Sequence, residues 1–501
     1  MSEIKNVEVP MDEVPVEELN TSHGDWVESI MNVQGSNIAE ADQSQTKNRR
    51  RIPRVPLMLR DAKDFEKYYT PRLVSIGPYH YKVRPESHHC YQNRKLQQVQ
   101  KLKPKMANKF VSNDRLQLEG LYEKLLQKTK EVRECYEENS TKDFSDEALA
   151  RMMLMDGCFI LYYIKSVVEK TVNELELKSY HEAFLQQDLF LLENQLPFLV
   201  LDVLMSNSKK PIKEEWMTKI NQFVEHNTMT PPQKEKSAGK SFGRCRQYCY
   251  GATGNKNRED EKVSKDGHKE APPPAHLLEL LHVKLVGDIE PINYCRDPQN
   301  YTFRKVKELT EVGIHLMQSE ASLLTKINYE PHYTFGFLKL PPITVDDSTK
   351  AKFLNLIAYE MCPQIRNEFQ WVTSYVCFLD SLIDNAEDVK ELRSAKILHN
   401  CLGSDDEVAK LFNEIGTDLV PHPCAYAFVK RDIQEHYENK GKTYMAQLKY
   451  QYFKNPWTIF ALLGAILALF FSAVQAFFQE HVCHSYKEAY EDYSSYVIVS
   501  E

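Results

Sequence analysis

The sequence carries no signature of a known catalytic chemistry. It has no nucleophile elbow, no kinase-type set of motifs, and no pair of Cys or His residues at zinc-finger or ribbon spacing. "GATGNK" (Gly251–Lys256) lacks the spacing and the Lys-Ser/Thr ending of a phosphate loop. The chain also lacks charge of one dominant sign. A formal net charge of -8 over 501 residues gives no global reason to expect nucleic acid or an anionic surface as partner. The eleven cysteines are scattered and odd in number, a spacing that does not resemble a disulfide framework, and a reducing compartment is expected for the main domain. The N-terminus has no charged start followed by an apolar core, so no secretory signal peptide is expected. The sequons at Asn20, Asn139 and Asn300 are then accidental. Residues 1–46 hold Lys5 as their one basic residue and read as a disordered acidic leader.

What remains is a foldable globular composition, with 42% hydrophobic and 27% charged residues. The main domain is expected over residues 47–450. In "IPRVP" the prolines fix an extended path that should anchor Ile52, Val55 and Leu57 on a core. "YYTPRLVSIGPYH" (Tyr68–His80) reads as a buried loop collar turned by Gly77-Pro78. The string His88–Cys90, with His80 nearby, lacks the second ligand pair of a zinc site. From Arg94 to Leu204 apolar residues recur every three or four positions, the period of a helix. "EALARMMLMDGCFILYYIKSVVE" is apolar enough for a core helix, and Asp156 with Gly157 is expected to interrupt it.

"DLFLLENQLPFLVLDVL" (Asp188–Leu204) raises the sharpest question, because Glu193, Asn194 and Gln195 stand amid apolar residues. At about 100° per residue they fan over roughly 200°, so a helix cannot aim all three at one ligand. Pro197 cannot bond the Glu193 carbonyl and disfavours helix at Leu196. The helix from Asp188 should therefore end near Gln195–Leu196, and Pro197 should open a second. Asn194 or Gln195 should then bond backbone across the junction, and Glu193 should meet a basic or hydroxyl partner.

Residues 230–275 shift to Lys, Gly and Pro and read as a flexible polar insertion. Helix resumes at "HLLELLHVKL" (His276–Leu285) and is expected across "RKVKELTEVGIHLMQ" (Arg304–Gln318). "YTFGFLKLPPITVDD" (Tyr333–Asp347) reads as two short strands. Asp347 or Ser348 should cap the next helix, and Ser404 with Glu407 forms a start signal for a later one that Gly416 closes.

Asn455–Gln479 contains no charge. As a helix it reaches about 37 Å at roughly 1.5 Å per residue, enough for a hydrocarbon core of about 30 Å. Lys440, Lys442, Lys449 and Lys454 precede it, and Lys487 follows, so the large N-terminal part is expected in the cytosol. The tail at 480–501 would lie outside or in a lumen, with the plasma membrane as the expected location.

Taken in order, "IPRVP", "YYTPRLVSIGPYH", "MMLMDGCFILYYI", "DLFLLENQLPFLVL", "YVCFLDSLIDNAEDVKEL" and "YFKNPWTIFALLGAILALFFSAVQ" resemble the plant domain-of-unknown-function family 247, the UPF0481 proteins, over about residues 47–479. The resemblance implies a plant-specific, mainly helical domain with a few short strands and one C-terminal transmembrane helix. It implies no established activity, cofactor or catalytic residue. Some grass members are implicated as pollen-side determinants of self-incompatibility, which suggests recognition. The expected role is thus a membrane-anchored recognition or signalling module acting by protein–protein binding. Its partners are the membrane, through Asn455–Gln479, and proteins whose identity the sequence leaves open, as it does the oligomeric state. Nucleic acid is not expected, and no catalytic, cofactor or metal residue is assigned. The alternative is a hydrolase using Asp156 and Glu193 as a buried acid pair, with Cys158 or Cys135 as nucleophile.

Overall fold

Ser145 accepts a hydrogen bond from the Ala148 amide at 3.2 Å, and Asp146 and Glu147 occupy the first turn of the helix that follows. A polar cap and two acids at a helix N-terminus satisfy free amides and oppose the macrodipole. The result, Asp146–Val168, is the central helix of the fold. It appears in a computed structural model that describes residues 52–81, 99–175, 177–207, 211–230, 274–287, 304–363, 370–444, 447 and 456–498. The leader at 1–46, the string His88–Cys90 and almost all of the 230–275 insertion lie outside the described residues.

We number the longer helices α1 (Leu102–Phe110), α2 (Arg115–Gln127), α3 (Asp146–Val168), α4 (Ser179–Asp188), α5 (Phe198–Ser206) and α6 (Lys213–His226) in the first half. The second half has α7 (Leu277–Val286), α8 (Val306–Glu311), α9 (Thr349–Glu360), α10 (Trp371–Leu382), α11 (Ala386–Ser394), α12 (Asp405–Gly416) and α13 (Ala427–Glu438), followed by α14 (Pro456–Ile498). Strands β1 (Ile314–Gln318), β2 (Asn328–Pro331) and β3 (Gly336–Leu340) form a sheet in the order β1-β3-β2. In it β1 runs parallel and β2 antiparallel to β3. A second, two-stranded sheet pairs β4 (Ile343–Val345) with β5 (Leu398–Asn400) in parallel. The fold is mainly helical with a few short strands, as expected.

Helices α1, α2, α5 and α6 all pack on α3. The expected break at Asp156 and Gly157 does not occur, and α3 runs through both. Gly157 is there for close approach. A Cβ on it would lie 2.4 Å from Leu204 Cδ1 and 3.3 Å from Val200 Cγ1, both on α5. Asp156 points to a cation on α1, described below. In the second half α10 contacts α7, α9 and α12, and α13 lies on β2. Buried apolar residues form a continuous core from Ile52 to Val429 that joins both halves.

Three other expectations need correction. Leu57 is 79% exposed, because a single helical turn at Leu57–Arg60 rotates it away after Ile52 and Val55 have been buried. Residues Arg304–Gln318 are not one helix, since α8 stops at Glu311 and Ile314–Gln318 is strand β1. Gly313, at φ 84°, makes that change of direction. Helix α4 ends at Asp188, not near Gln195, for a reason found in the side chains of the junction itself. Ser404 caps α12 as expected, accepting from the Glu407 amide at 3.2 Å. Ser348 holds the N-cap position of α9, but the capping acceptor there is Asp346, bonded by the Ser348 amide and by the Ser348 and Thr349 hydroxyls.

Helix α14 is one unbroken helix of 43 residues, so helix continues past the expected end at Gln479 through most of the tail. Its stretch Ile459–Lys487 is long and apolar enough to cross a membrane, and none of its most apolar window is buried.

The two helical glycines at 157 and 120 make opposite predictions. Gly157→Ala should overpack the α3–α5 contact and lower stability by about 1–3 kcal/mol. Gly120→Ala, in α2, meets nothing within 4 Å and should raise stability by roughly 0.5–1 kcal/mol through helix propensity. Chemical denaturation of the purified full chain measures both, and equal signs would refute the packing assignment.

Candidate functional site

The junction between α4 and α5 carries the polar cluster picked out from the sequence, and the chain bends there by 98°. Asp188, Glu193, Asn194 and Gln195 are all buried. A single 3-10 turn, Leu192–Asn194, links the two helices, and Pro197 takes the N-cap position of α5. Side-chain amides end α4 early. Asn194 Nδ2 donates to the Asp188 carbonyl at 2.8 Å, and Gln195 Nε2 donates to the Leu189 and Leu191 carbonyls, both at 2.8 Å. Those carbonyls would otherwise need the amides of a continuing helix.

The same cluster holds the loop collar. The amides of Arg72, Leu73 and Val74 all donate to the Asp188 carboxylate at 2.7–3.1 Å. The Ile76 amide donates to Asn194 Oδ1 at 2.7 Å, while Asn194 Nδ2 returns a bond to the Val74 carbonyl at 3.0 Å. The Gly77 amide donates to Asp156 Oδ2 at 2.8 Å. The Ser75 carbonyl accepts from Lys103 Nζ at 2.6 Å and from Gln100. Lys103 also donates to Asp156 Oδ1 at 2.5 Å. Five amides of one irregular segment are therefore bound by three buried side chains. Gly77 has φ 68°, and a Cβ there would lie 2.8 Å from the Tyr136 hydroxyl, so the turn requires glycine.

Glu193 faces the other way. Its Oε1 accepts from the Val55 amide at 2.9 Å and from Arg60 Nη2 at 2.6 Å. His80 Nε2 lies 3.8 Å from Oε2. Burial, with the charges of Arg54 and Arg60, lowers the His80 pKa to about 4, so this imidazole is neutral in the folded chain. The cluster reaches the second half as well. Asn355 of α9 accepts from the Leu192 amide at 2.8 Å and donates to the Tyr68 carbonyl at 2.9 Å. Gln195 Oε1 accepts from the Leu278 amide at 3.0 Å, in the first turn of α7. At that same end His276 Nδ1 accepts from the Glu279 amide at 3.2 Å.

The acids proposed for hydrolysis are thus each engaged with a different cation, Asp156 with Lys103 and Glu193 with Arg60. Burial raises the Asp156 pKa against the pull of Lys103 and the Gly77 amide. The Cys158 thiol is buried and pushed far up from its ordinary value, away from the thiolate a nucleophile needs. Cys135, just past a short helix at Thr129–Glu134, donates its Sγ proton to the Glu131 carbonyl. Among the described residues no group of three His, Cys, Asp or Glu could hold a metal ion. A depression of about 420 Å³ opens between α11 and α12, lined by Asp384, Asp406, Lys410 and Glu414 among others. Two of its acids are paired, Asp384 with Lys305 at 2.7 Å and Glu414 with Lys350 at 2.5 Å and Lys410 at 3.7 Å.

Sequence reasoning missed Lys103, Asp188 and a second buried carboxylate, Glu360. The signal for Lys103 was present, since it shares a face of α1 with Met106, Ala107 and Phe110 at helical spacing, a lysine among core positions. Glu360 accepts from the Val372 and Thr373 amides at 2.9 and 2.8 Å and from the Thr373 hydroxyl. It thereby closes the N-terminus of α10, and His282 Nε2 lies 2.7 Å from its Oε1.

Comparison with known proteins finds relatives over most of the chain. A family model described as plant protein of unknown function, DUF247, matches residues 52–471. UPF0481 protein At3g47200 of Arabidopsis thaliana is 27% identical over 422 residues, covering 82% of each chain. Putative UPF0481 protein At3g02645 of the same plant is 24% identical over 480 residues, covering 82% of this chain and 86% of its own. No solved structure matches.

Two measurements test the cluster. Asn194→Ala strands the Ile76 amide and a pair of carbonyls, each worth about 1–3 kcal/mol when unsatisfied, so it should cost roughly 3 kcal/mol or more. A loss under about 1 kcal/mol in denaturant unfolding would show that the clamp is not needed. The second concerns acid stability. Burial lowers the His276 pKa from its ordinary 6.5 to about 3. Between those values the unfolded chain binds a proton that the folded chain refuses. Stability therefore falls as pH drops from 6.5 toward 3, by at most about 1.4 kcal/mol per pH unit for this group. His276→Asn keeps a capping acceptor and should flatten that slope by about one proton, whatever it does to stability at neutral pH. An unchanged slope would remove His276 as a source of acid lability.

Proposed function

The chain belongs to the DUF247 family of plant proteins of unknown function, and from that premise we propose that it is a single-pass membrane protein whose helical domain acts by binding other proteins. Helix α14 is the observation that carries the reading. Phe460, Leu469, Phe470, Phe471, Phe477 and Phe478 each expose 59–72% of their surface along it. A run of that kind in water is a liability, whereas a bilayer accommodates it. The lysines ahead of the span favour a cytosolic domain, with the segment after it outside or in a lumen, and the plasma membrane as the location. Confinement to a membrane then raises the effective concentration of the domain for partners already there.

The choice of binding over catalysis is supported by the use made of the acids. Asp156, Asp188, Glu193 and Glu360 bind backbone amides, and Asp156 and Glu193 have separate cations. A hydrolytic pair needs two carboxyls whose environments divide a proton between them.

Proximity labelling from the full-length protein in plant cells should enrich a small set of membrane proteins, and deletion of residues 455–479 should disperse that set. A set unchanged by the deletion would rule out tethering as the mechanism. A glycosylation acceptor placed in an exposed loop of the main domain should stay unmodified, and its glycosylation would reverse the orientation.

A further inference from the structure

The sheet β1-β3-β2 buries one face under Ile314, Leu338, Leu340 and Tyr329. Its other face is aromatic toward the β2–β3 turn. His332–Phe335 make that turn, closed by the His332 amide donating to the Phe335 carbonyl at 2.8 Å. His332 stacks on Phe335 with ring centres 4.7 Å apart, and Phe337 meets both rings edge-on at 5.4 Å. Tyr333 at the tip is 93% exposed, the most exposed aromatic of the described domain. Farther from the tip the face turns polar, ending in the Glu330–Lys339 ion pair. An aromatic end on a rigid hairpin, grading into charge, is the profile of a surface that sits at an interface between apolar and aqueous phases.

The position of this tip suggests which interface. Tyr329 of β2 hydrogen-bonds His436 of α13 at 2.7 Å, and His436 Nε2 bonds the Val312 carbonyl ahead of β1. The hairpin is therefore fixed to the helix that leads toward the anchor. Just beyond that helix, Lys442 Nζ donates to the His332 carbonyl at 3.1 Å, in the turn itself. From Lys442 to Pro456, where α14 begins, even a fully extended chain at roughly 3.5 Å per residue reaches only about 50 Å. Four lysines, at 440, 442, 449 and 454, lie along this approach. Such a basic juxtamembrane run is attracted to the anionic cytoplasmic leaflet and draws the adjoining domain surface toward it.

We propose that the tip of the β2–β3 hairpin, Tyr333 backed by His332, Phe335 and Phe337, rests in the headgroup layer of the membrane that holds α14. The inference depends on α14 crossing that membrane. It gives the domain a second contact with the bilayer, which sets its tilt and so selects the surface that faces partners.

The test is photo-cross-linking of the full-length protein in vesicles of phosphatidylcholine and phosphatidylserine. The photoreactive residue p-benzoylphenylalanine replaces Tyr333, Phe470 or Leu116, one at a time. Leu116, 80% exposed on α2, is the control for chance collisions. Phospholipid adducts are expected at 470 and at 333, in several-fold excess over 116. Adducts at 470 with none above background at 333 would overturn the hairpin contact and leave the anchor standing. Absence of lipid adducts at 470 would remove the anchor reading and this inference together. Adducts at 333 to polypeptide in place of lipid would overturn the proposal in favour of a protein-binding tip.

Discussion

Everything in the first half of this protein depends on how residues 72–77 satisfy their backbone. Arg72 aside, these residues are buried, and they form neither helix nor strand. Connecting segments usually stay at the surface because a buried, irregular backbone has no regular partner for its amides and carbonyls. Here the partners are side chains. Asp188 binds three amides, and Asn194 and Asp156 bind one each, while Lys103 takes the Ser75 carbonyl. Each of these bonds reaches across more than 25 residues of sequence. The loop is therefore the means by which α1, α3 and the α4–α5 junction are held at fixed distances.

That arrangement explains the unusual chemistry of the junction. An uninterrupted helix from Ser179 to Ser206 would point Asn194 and Gln195 about 100° apart. Breaking it at Asp188 turns both amides inward, where they replace the missing helical donors and reach the collar together. The same break presents the Leu192 amide to Asn355, which also holds the Tyr68 carbonyl. That asparagine and Tyr68, 287 positions apart in sequence, are bonded directly. The two halves accordingly share one core and one polar network, with Gln195 carrying the network to the first turn of α7. Asp156, Asp188, Glu193, Asn194 and Gln195 are all bonded, and such a network fixes geometry, whereas the loss of one member leaves several charges or amides stranded.

How much of this could be read from residues alone follows the range of the forces involved. Local signals were legible. The cap at Ser404, the strands at Gly336–Leu340 and Ile343–Val345, the buried collar and the clamp role of Asn194 and Gln195 all follow from neighbours in sequence. Glu193 met a basic residue, Arg60, as its burial required. What could not be read was set by distant partners. Asp156 and Gly157 look like a helix break by composition, yet each is explained by a residue outside α3, Lys103 for one and Leu204 for the other. Ile314–Gln318 has helix-compatible residues, but pairing with Gly336–Leu340 makes it a strand. Asp188 is the last residue of α4, yet its carboxylate holds the collar.

The comparison between α3 and α14 shows why composition alone does not separate a core helix from an anchor. Both are long and rich in apolar residues. Helix α3 also carries Arg151, Asp156 and Lys165, and four neighbouring helices cover it. Asp156 is tolerated inside because Lys103 and the Gly77 amide meet it there. The apolar run of α14 contains no charge, and its side chains project outward all round. A helix apolar on every side needs an apolar phase around it, supplied either by other protein or by lipid. The described domain already buries its own core without α14, which favours lipid. Under the proposed anchoring the domain and its helix then meet separate requirements. One would be held by a polar cluster in a buried core and the other by the bilayer, so on that reading the anchor is separable from the fold of the domain.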